Sequence, residues 1–123
     1  MEIMRLRNHK YAQCAYYHTM YLAGKDEWDH EWGFMSYSTR ILIIRGSRVM
    51  FTGYYSRTTS RQLTWWLHEY GDRLKGLTRK TLDIMDREHL AYDFETGELT
   101  PLTDYEWREC KEVRRAAFRG YGC

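Results

Sequence analysis

Proline is almost absent from this chain, and its cysteines do not pair. Pro101 is the sole proline, and Cys14, Cys110 and Cys123 are the only cysteines. An odd count with no close pair excludes a disulfide framework and points to a reducing compartment. No apolar run approaches the ~20 residues that cross a bilayer. The opening stretch MEIMRLRNHK lacks the apolar core of a secretory leader. These absences predict a protein of the cytoplasm with no membrane contact. Low-complexity segments and internal repeats are also missing, as are a phosphate-cradling P-loop, a G-x-G-x-x-G turn and a nucleophile elbow. Nucleotide-driven and serine-hydrolase chemistry lose their usual signatures, and the expectation is a protein that is not an enzyme.

The 123 residues suffice for one domain with one core. Aromatic side chains make up 16% of the chain. They can fill a small core while keeping polar tips wet, or they can anchor an interface. The net charge is only +2, but it is segregated. Residues 38–80 hold nine Arg and Lys against two acids, whereas residues 81–123 hold six against ten. Either block could steer a charged partner, or the two could complement each other inside the fold.

The densest pattern lies in 36–70, SYSTRILIIRGSRVMFTGYYSRTTSRQLTWWLHEY. Alternation places Tyr37, Thr39, Ile41 and Ile43 on one face of a strand and Arg40, Leu42 and Ile44 on the other. Arg45-Gly46-Ser47-Arg48 reads as a turn, and Val49–Tyr54 as the return strand, with Gly53 marking a bulge or bend. Thr59 and Gln62 have the spacing of a capping box. Leu63, Trp66, Leu67 and Tyr70 then form the apolar stripe of a helix over about 60–70, which Gly71 would end.

On either side the pattern is weaker. Met1–Lys10 reads as an extended lead-in. Tyr11–Ala23 contains no Gly or Pro and reads as a helix, with Cys14 and His18 on one side; Lys25–Gly33 reads as a polar loop carrying Trp28 and Trp32. Thr78–Arg87 reads as a short helix. A second hairpin is predicted over about 89–102, turning at Glu95–Glu98. Thr103 and Glu106 form another capping box, opening a helix over about 104–118 whose narrow apolar face is spaced as Tyr105 or Glu106, Cys110, Val113 and Ala117. The fold class is α+β: hairpins at about 35–54 and 89–102 form a small antiparallel sheet, packed by helices at about 11–23, 60–70 and 104–118.

The residues Ser36, Tyr37, Thr39 and Ile41, followed by a hairpin and then Tyr55, Ser56, Thr58, Thr59 and Trp65 or Trp66, resemble a motif of small uncharacterised bacteriophage and prophage proteins. The pattern there is roughly S-Y-x-T-x-I, a hairpin, then Y-S-x-T-T-x-x-H. Gln62 stands where His is commoner, so no role of that His carries over. The resemblance covers about a third of the chain. It implies origin in a mobile element, and accessory proteins of that kind commonly block a host defence.

Three chemistries compete for the candidate residues. Arg40, Arg45, Arg48, Arg57 and Arg61, interleaved with Tyr54 and Tyr55, would suit a single-strand nucleic-acid surface or a protein partner. Cys14 and His18, four apart on the expected helix, could share a zinc ion, with His9, His30, Cys110 or Cys123 completing the shell; a buried Cys and a core-edge His is the plainer reading. Acids of the loop 26–31 lack the arrangement of a two-metal site. The resulting expectation is a binding protein without cofactor. Its sharpest form, which the resemblance implies, is an anti-CRISPR inhibitor that docks on a host-defence protein, an RNA-guided nuclease such as Cas9. A phage nucleic-acid-binding regulator and a zinc-binding protein or enzyme are the alternatives.

Overall fold

The computed structural model describes residues 2–5, 14–22, 27–36, 39–53 and 56–119, with the backbone alone for 2–5, 14–22, 27–29, 58, 118 and 119. The fold is α+β. Strands β1 (Glu2–Arg5), β2 (Cys14–Leu22), β3 (Glu27–Ser36), β4 (Thr39–Arg45), β5 (Arg48–Phe51), β6 (Leu90–Asp93) and β7 (Leu99–Pro101) pair in sequence order. Every pairing is antiparallel. Helices α1 (Arg57–Tyr70) and α2 (Arg79–Glu88) cover one face, joined by a 3₁₀ turn at Gly71–Leu74. Helix α3 (Asp104–Arg119) covers the other.

Two readings of the N-terminal third are corrected. Tyr11–Ala23 is not a helix: Cys14–Leu22 is a nine-residue strand. Absence of Gly and Pro does not distinguish a helix from a strand, and Tyr16, Tyr17, Thr19 and Tyr21 favour the pleated conformation. Lys25–Gly33 is not a loop, because Glu27–Ser36 forms the ten-residue strand β3. Its register runs from Leu22 opposite Glu27 to Cys14 opposite Met35. Each strand supplies the other with a ladder of backbone partners, which overrides the polar composition of 25–31.

Local signals hold elsewhere. Gly46 adopts φ 60° in the two-residue turn between β4 and β5. The 89–102 hairpin turns through Asp93, whose Oδ1 accepts the amides of Glu95 (2.8 Å) and Thr96 (3.1 Å). The capping box of α3 is complete: the Glu106 amide donates to Thr103 Oγ1 at 3.1 Å, and the Thr103 amide donates to Glu106 Oε1 at 2.9 Å. The cap of α1 is displaced. The helix begins at Arg57, and Ser56 rather than Thr59 accepts the amide bond, from Thr59 at 3.1 Å. Thr59 and Gln62 are buried and engaged elsewhere. Gly71 caps α1 in a right-handed conformation, and the chain continues into the 3₁₀ turn.

The sheet divides the core in two. Leu42, Ile44, Val49 and Phe51 meet Leu63 and Trp66 of α1, Leu74 and Leu77 of the connection, and Leu82 and Met85 of α2. Ile43, Met50 and Ala91 meet Cys110 and Val113 of α3, together with Leu102. Simple alternation would put Ile41 with Ile43 and Arg40 with Leu42. Instead the β3–β4 register slips, with Phe34 opposite Leu42 but Met35 opposite Arg40. Ile41 is the extra residue of a bulge, which reverses the phase of what precedes it. Ile41 therefore joins the α1 core, and Arg40 joins Ile43 and Arg45 on the α3 face.

After β5 the chain passes beneath α3 at Gly53, φ 130°. A Cβ there would lie 2.8 Å from Arg114 Nη2 and 3.1 Å from its Cζ. That guanidinium cannot simply swing away, since its Nε donates to Thr52 O at 2.7 Å and its Nη2 to Asp86 Oδ1 at 3.1 Å. Gly53→Ala should therefore cost about 2 kcal/mol or more, combining backbone strain with disruption of the Arg114 hydrogen bonds. Urea unfolding followed by circular dichroism measures this; a change under ~0.5 kcal/mol, the usual range of a neutral surface substitution, would show that the close approach carries no energy.

Candidate functional site

Glu31 lies near the middle of β3, 1% exposed, opposite Arg45 of β4. Arg40 Nη1 donates to its Oε2 at 2.8 Å. Arg45 donates to its Oε1 from Nε at 3.0 Å and from Nη2 at 2.6 Å. Arg45 also grips Glu109 of α3, with bonds of 2.8 and 2.6 Å, and Arg40 lies 3.7 Å from the same carboxylate. Two strands and a helix are thus joined through four alternating charges. The bulge at Ile41 makes this possible, because without it Arg40 would point to the other face of the sheet.

A second clamp lies one strand further on. Arg48 donates to Glu106 from Nε (2.7 Å) and Nη2 (2.8 Å), to Thr100 Oγ1 (2.6 Å) and to Pro101 O (3.0 Å). Arg114 closes the far end through Asp86. Part of the basic block of the sequence therefore pairs within the fold, with Glu31 and with Glu106 and Glu109 of the acidic block. Arg40, Arg45 and Arg48 reach carboxylates of the protein itself and fasten α3 to the sheet.

Burial tends to raise the Glu31 carboxyl, but the hydrogen bonds and charges of Arg40 and Arg45 outweigh it, and Glu31 sits below its ordinary 4.5. Glu106 is likewise pushed up by burial and pulled further down by Arg48 and the Thr103 amide. Because both values are depressed in the folded state, the stabilisation is present above the ordinary value and is lost as pH falls through the lower folded values. Unfolding free energy measured in urea should fall steadily from about pH 5 toward about pH 3, and the slope should be shallower in Glu31→Gln. An equal slope in that variant would remove Glu31 from the linkage.

Ser36, Ser56, Thr59 and Gln62 meet in a separate cluster. The Ser36 hydroxyl donates to Gln62 Oε1 at 2.6 Å and lies 3.4 Å from Thr59 Oγ1, which accepts from Ser56 Oγ at 3.1 Å. Ser36, Thr59 and Gln62 are buried. The cluster ties the end of β3 to the first turn of α1, which is a structural use of these positions. Tyr37, Tyr54 and Tyr55 lie outside the described residues.

The zinc reading loses its geometric basis. Four residues along a helix make one turn, but along strand β2 they separate the Cα atoms of Cys14 and His18 by about 13 Å. Cys110 lies in the core beneath α3, its thiol pushed up to about 11 by burial and then by Glu109. Among the described residues no group of three His, Cys, Asp or Glu side chains could hold a metal ion. None of the described helices is long and apolar enough to cross a membrane.

The remaining predicted arginines stand apart from these clamps. Arg57, Arg61, Thr64 and His68 follow one another along α1 on the side away from its buried stripe, and all four are exposed. Arg73, Lys75 and Lys80 extend this exposed basic layer across the 3₁₀ turn to the start of α2. Residues 57–80 hold six Arg and Lys against Glu69 and Asp72. Sequence reasoning misses Arg73, Lys75 and Lys80, although the polar side of the α1 pattern points outward. The chain matches no protein-family model, no curated protein and no solved structure.

Proposed function

We propose that this protein is a non-catalytic accessory protein of phage type that inhibits a host RNA-guided nuclease such as Cas9. The exposed cations of α1, the 3₁₀ turn and α2 are its contact with the nucleic-acid path of that effector. The observation that carries this reading is the division of the arginines. Arg40, Arg45 and Arg48 are committed to the fold, whereas Arg57 and Arg61 are exposed beside Arg73, Lys75 and Lys80. Guide and target strands present an ordered row of phosphates in a positively lined channel. A small basic layer can compete there for the backbone without reading sequence.

The partner class rests on the resemblance to phage proteins, and the contact surface on the geometry. The test is target cleavage by a type II effector with increasing amounts of the protein. Wild type should inhibit. Arg57→Glu with Lys80→Glu should weaken inhibition by at least about tenfold at an unchanged melting temperature, because each cation paired with a phosphate contributes to affinity through counterion release. Retained inhibition in that variant would exclude this surface. If the protein instead binds naked single-stranded DNA or RNA, with affinity falling steeply in salt and no effect on cleavage, it is a nucleic-acid-binding regulator.

A further inference from the structure

A groove of about 480 Å³ runs along the flank of α3 that faces Arg40, lined by Tyr105, Arg108, Glu112, Val113 and Ala116 together with that arginine. Glu109 also borders it, held by Arg45, so the flank is fixed to the sheet. The sequence pattern leaves Tyr105 or Glu106 for the apolar face of α3; Tyr105 is 67% exposed and is the sole exposed large hydrophobic side chain among the described residues. The helix turns inward with Glu106, Cys110, Val113 and Ala117 instead, because Arg48 draws Glu106 to the sheet.

The flank has an internal order. Tyr105 and Ala116 mark its ends, eleven residues or about 16 Å apart. Arg108 and Glu112 lie between them, one turn apart and both exposed. A large side chain at one end and a small one at the other, with opposite charges bracketing the midpoint, is a self-complementary pattern.

We propose that a second copy of this chain occupies the groove, its α3 antiparallel to the first about a two-fold axis. Under a two-fold, each contact from one residue to another is made twice. With the axis passing between positions 110 and 111, Tyr105 of each copy meets Ala116 of the other, the large ring fitting over the smallest side chain of the flank. Arg108 of each copy comes within one position of Glu112 of the other, giving two ion pairs. The approach of Glu112 to Glu109 across the axis is offset by Arg40 and by Arg45, which already neutralise Glu109. A parallel pairing would set Tyr105 on Tyr105 and Glu112 on Glu112, which rejects it. The contact is independent of the basic layer on α1, and a dimer would present two such layers to a partner.

Sedimentation velocity over a concentration series tests this directly. Wild type should associate to a dimer in a concentration-dependent manner. Arg108→Glu places two carboxylates at each cross-axis contact, and Glu112→Arg places two cations there, so each variant alone should weaken association by at least about tenfold. An equimolar mixture of the two variants should restore it, since every Glu then faces an Arg. Circular dichroism of each variant should match wild type, as neither side chain has a hydrogen bond or ion pair among the described residues. Wild type that stays monomeric to about 0.5 mM, far above a micromolar Kd, would overturn the proposal. So would single variants that associate as wild type does, or a mixture that remains monomeric.

Discussion

Glu31→Ala should destabilise the protein by about 3–5 kcal/mol, the range for removing one partner of a buried charge pair. The expectation follows from what the substitution leaves behind. Arg40 and Arg45 have partly buried side chains, and each would be deprived of the most deeply buried carboxylate of the network. Glu109 alone then faces both cations, at 2.6 Å from Arg45 but 3.7 Å from Arg40. Against a total stability of roughly 5–15 kcal/mol for a domain of this kind, the loss is a large share. Urea unfolding at about pH 7, well above the ordinary carboxylate range in which Glu31 loses its charge, gives the number. The structure also predicts its context dependence. Glu109→Ala should cost less than Glu31→Ala, since Glu109 is the more exposed carboxylate and its removal leaves both arginines on Glu31. If the order is reversed, the network is organised around the helix rather than around β3.

What the sequence makes legible is local. The Gly46 turn, the Thr103–Glu106 box and the α1 stripe of Leu63, Trp66, Leu67 and Tyr70 each occupy a few consecutive residues whose backbone needs are met on the spot. The β2–β3 ribbon escapes that kind of reading because its evidence is a period rather than a marker. In EWDHEWGF the acids Glu27, Asp29 and Glu31 alternate with Trp28, His30, Trp32 and Phe34. That period of two is a strand signal, which the density of charge conceals. The bulge at Ile41 has no marker in the sequence, and it decides which face Arg40 serves. Charge segregation is visible too, but a count along the chain cannot distinguish a binding surface from two halves of a clamp. Only the placement of Glu31, Glu106 and Glu109 shows that Arg40, Arg45 and Arg48 hold α3 down, while Arg57 and Arg61 remain at the surface. The stretches around Ser36 and Ser56 resolve similarly: Ser36, Ser56, Thr59 and Gln62 meet in one knot at the start of α1, which is a folding requirement.

Trp66 should separate packing from polarity more cleanly than any other residue of the core. Its ring is fully buried, stacked on Tyr70 at 5.1 Å between centroids, with Trp32 at 6.0 Å and Phe34 at 6.1 Å. Its indole Nε1 is buried with no hydrogen-bond partner among the described residues. Trp66→Ala would open a cavity in the centre of this aromatic group and should cost about 3–5 kcal/mol. Trp66→Phe loses ring volume as well, but it also removes an N–H whose burial without a partner costs about 1–3 kcal/mol. The two effects oppose each other, so Trp66→Phe should lie within about 1 kcal/mol of wild type. Paired urea titrations followed by circular dichroism read both variants without relying on the indole fluorescence they alter. Were Trp66→Phe to cost as much as Trp66→Ala, the N–H would have to be satisfied in solution, and the arrangement of Trp32, Phe34 and Tyr70 around it would need an acceptor within reach. The expected gap between the two variants instead makes an N–H with no partner among the described residues a standing cost of the core. The fold tolerates that cost because the indole fills the space between β3 and α1 that a smaller ring leaves partly empty.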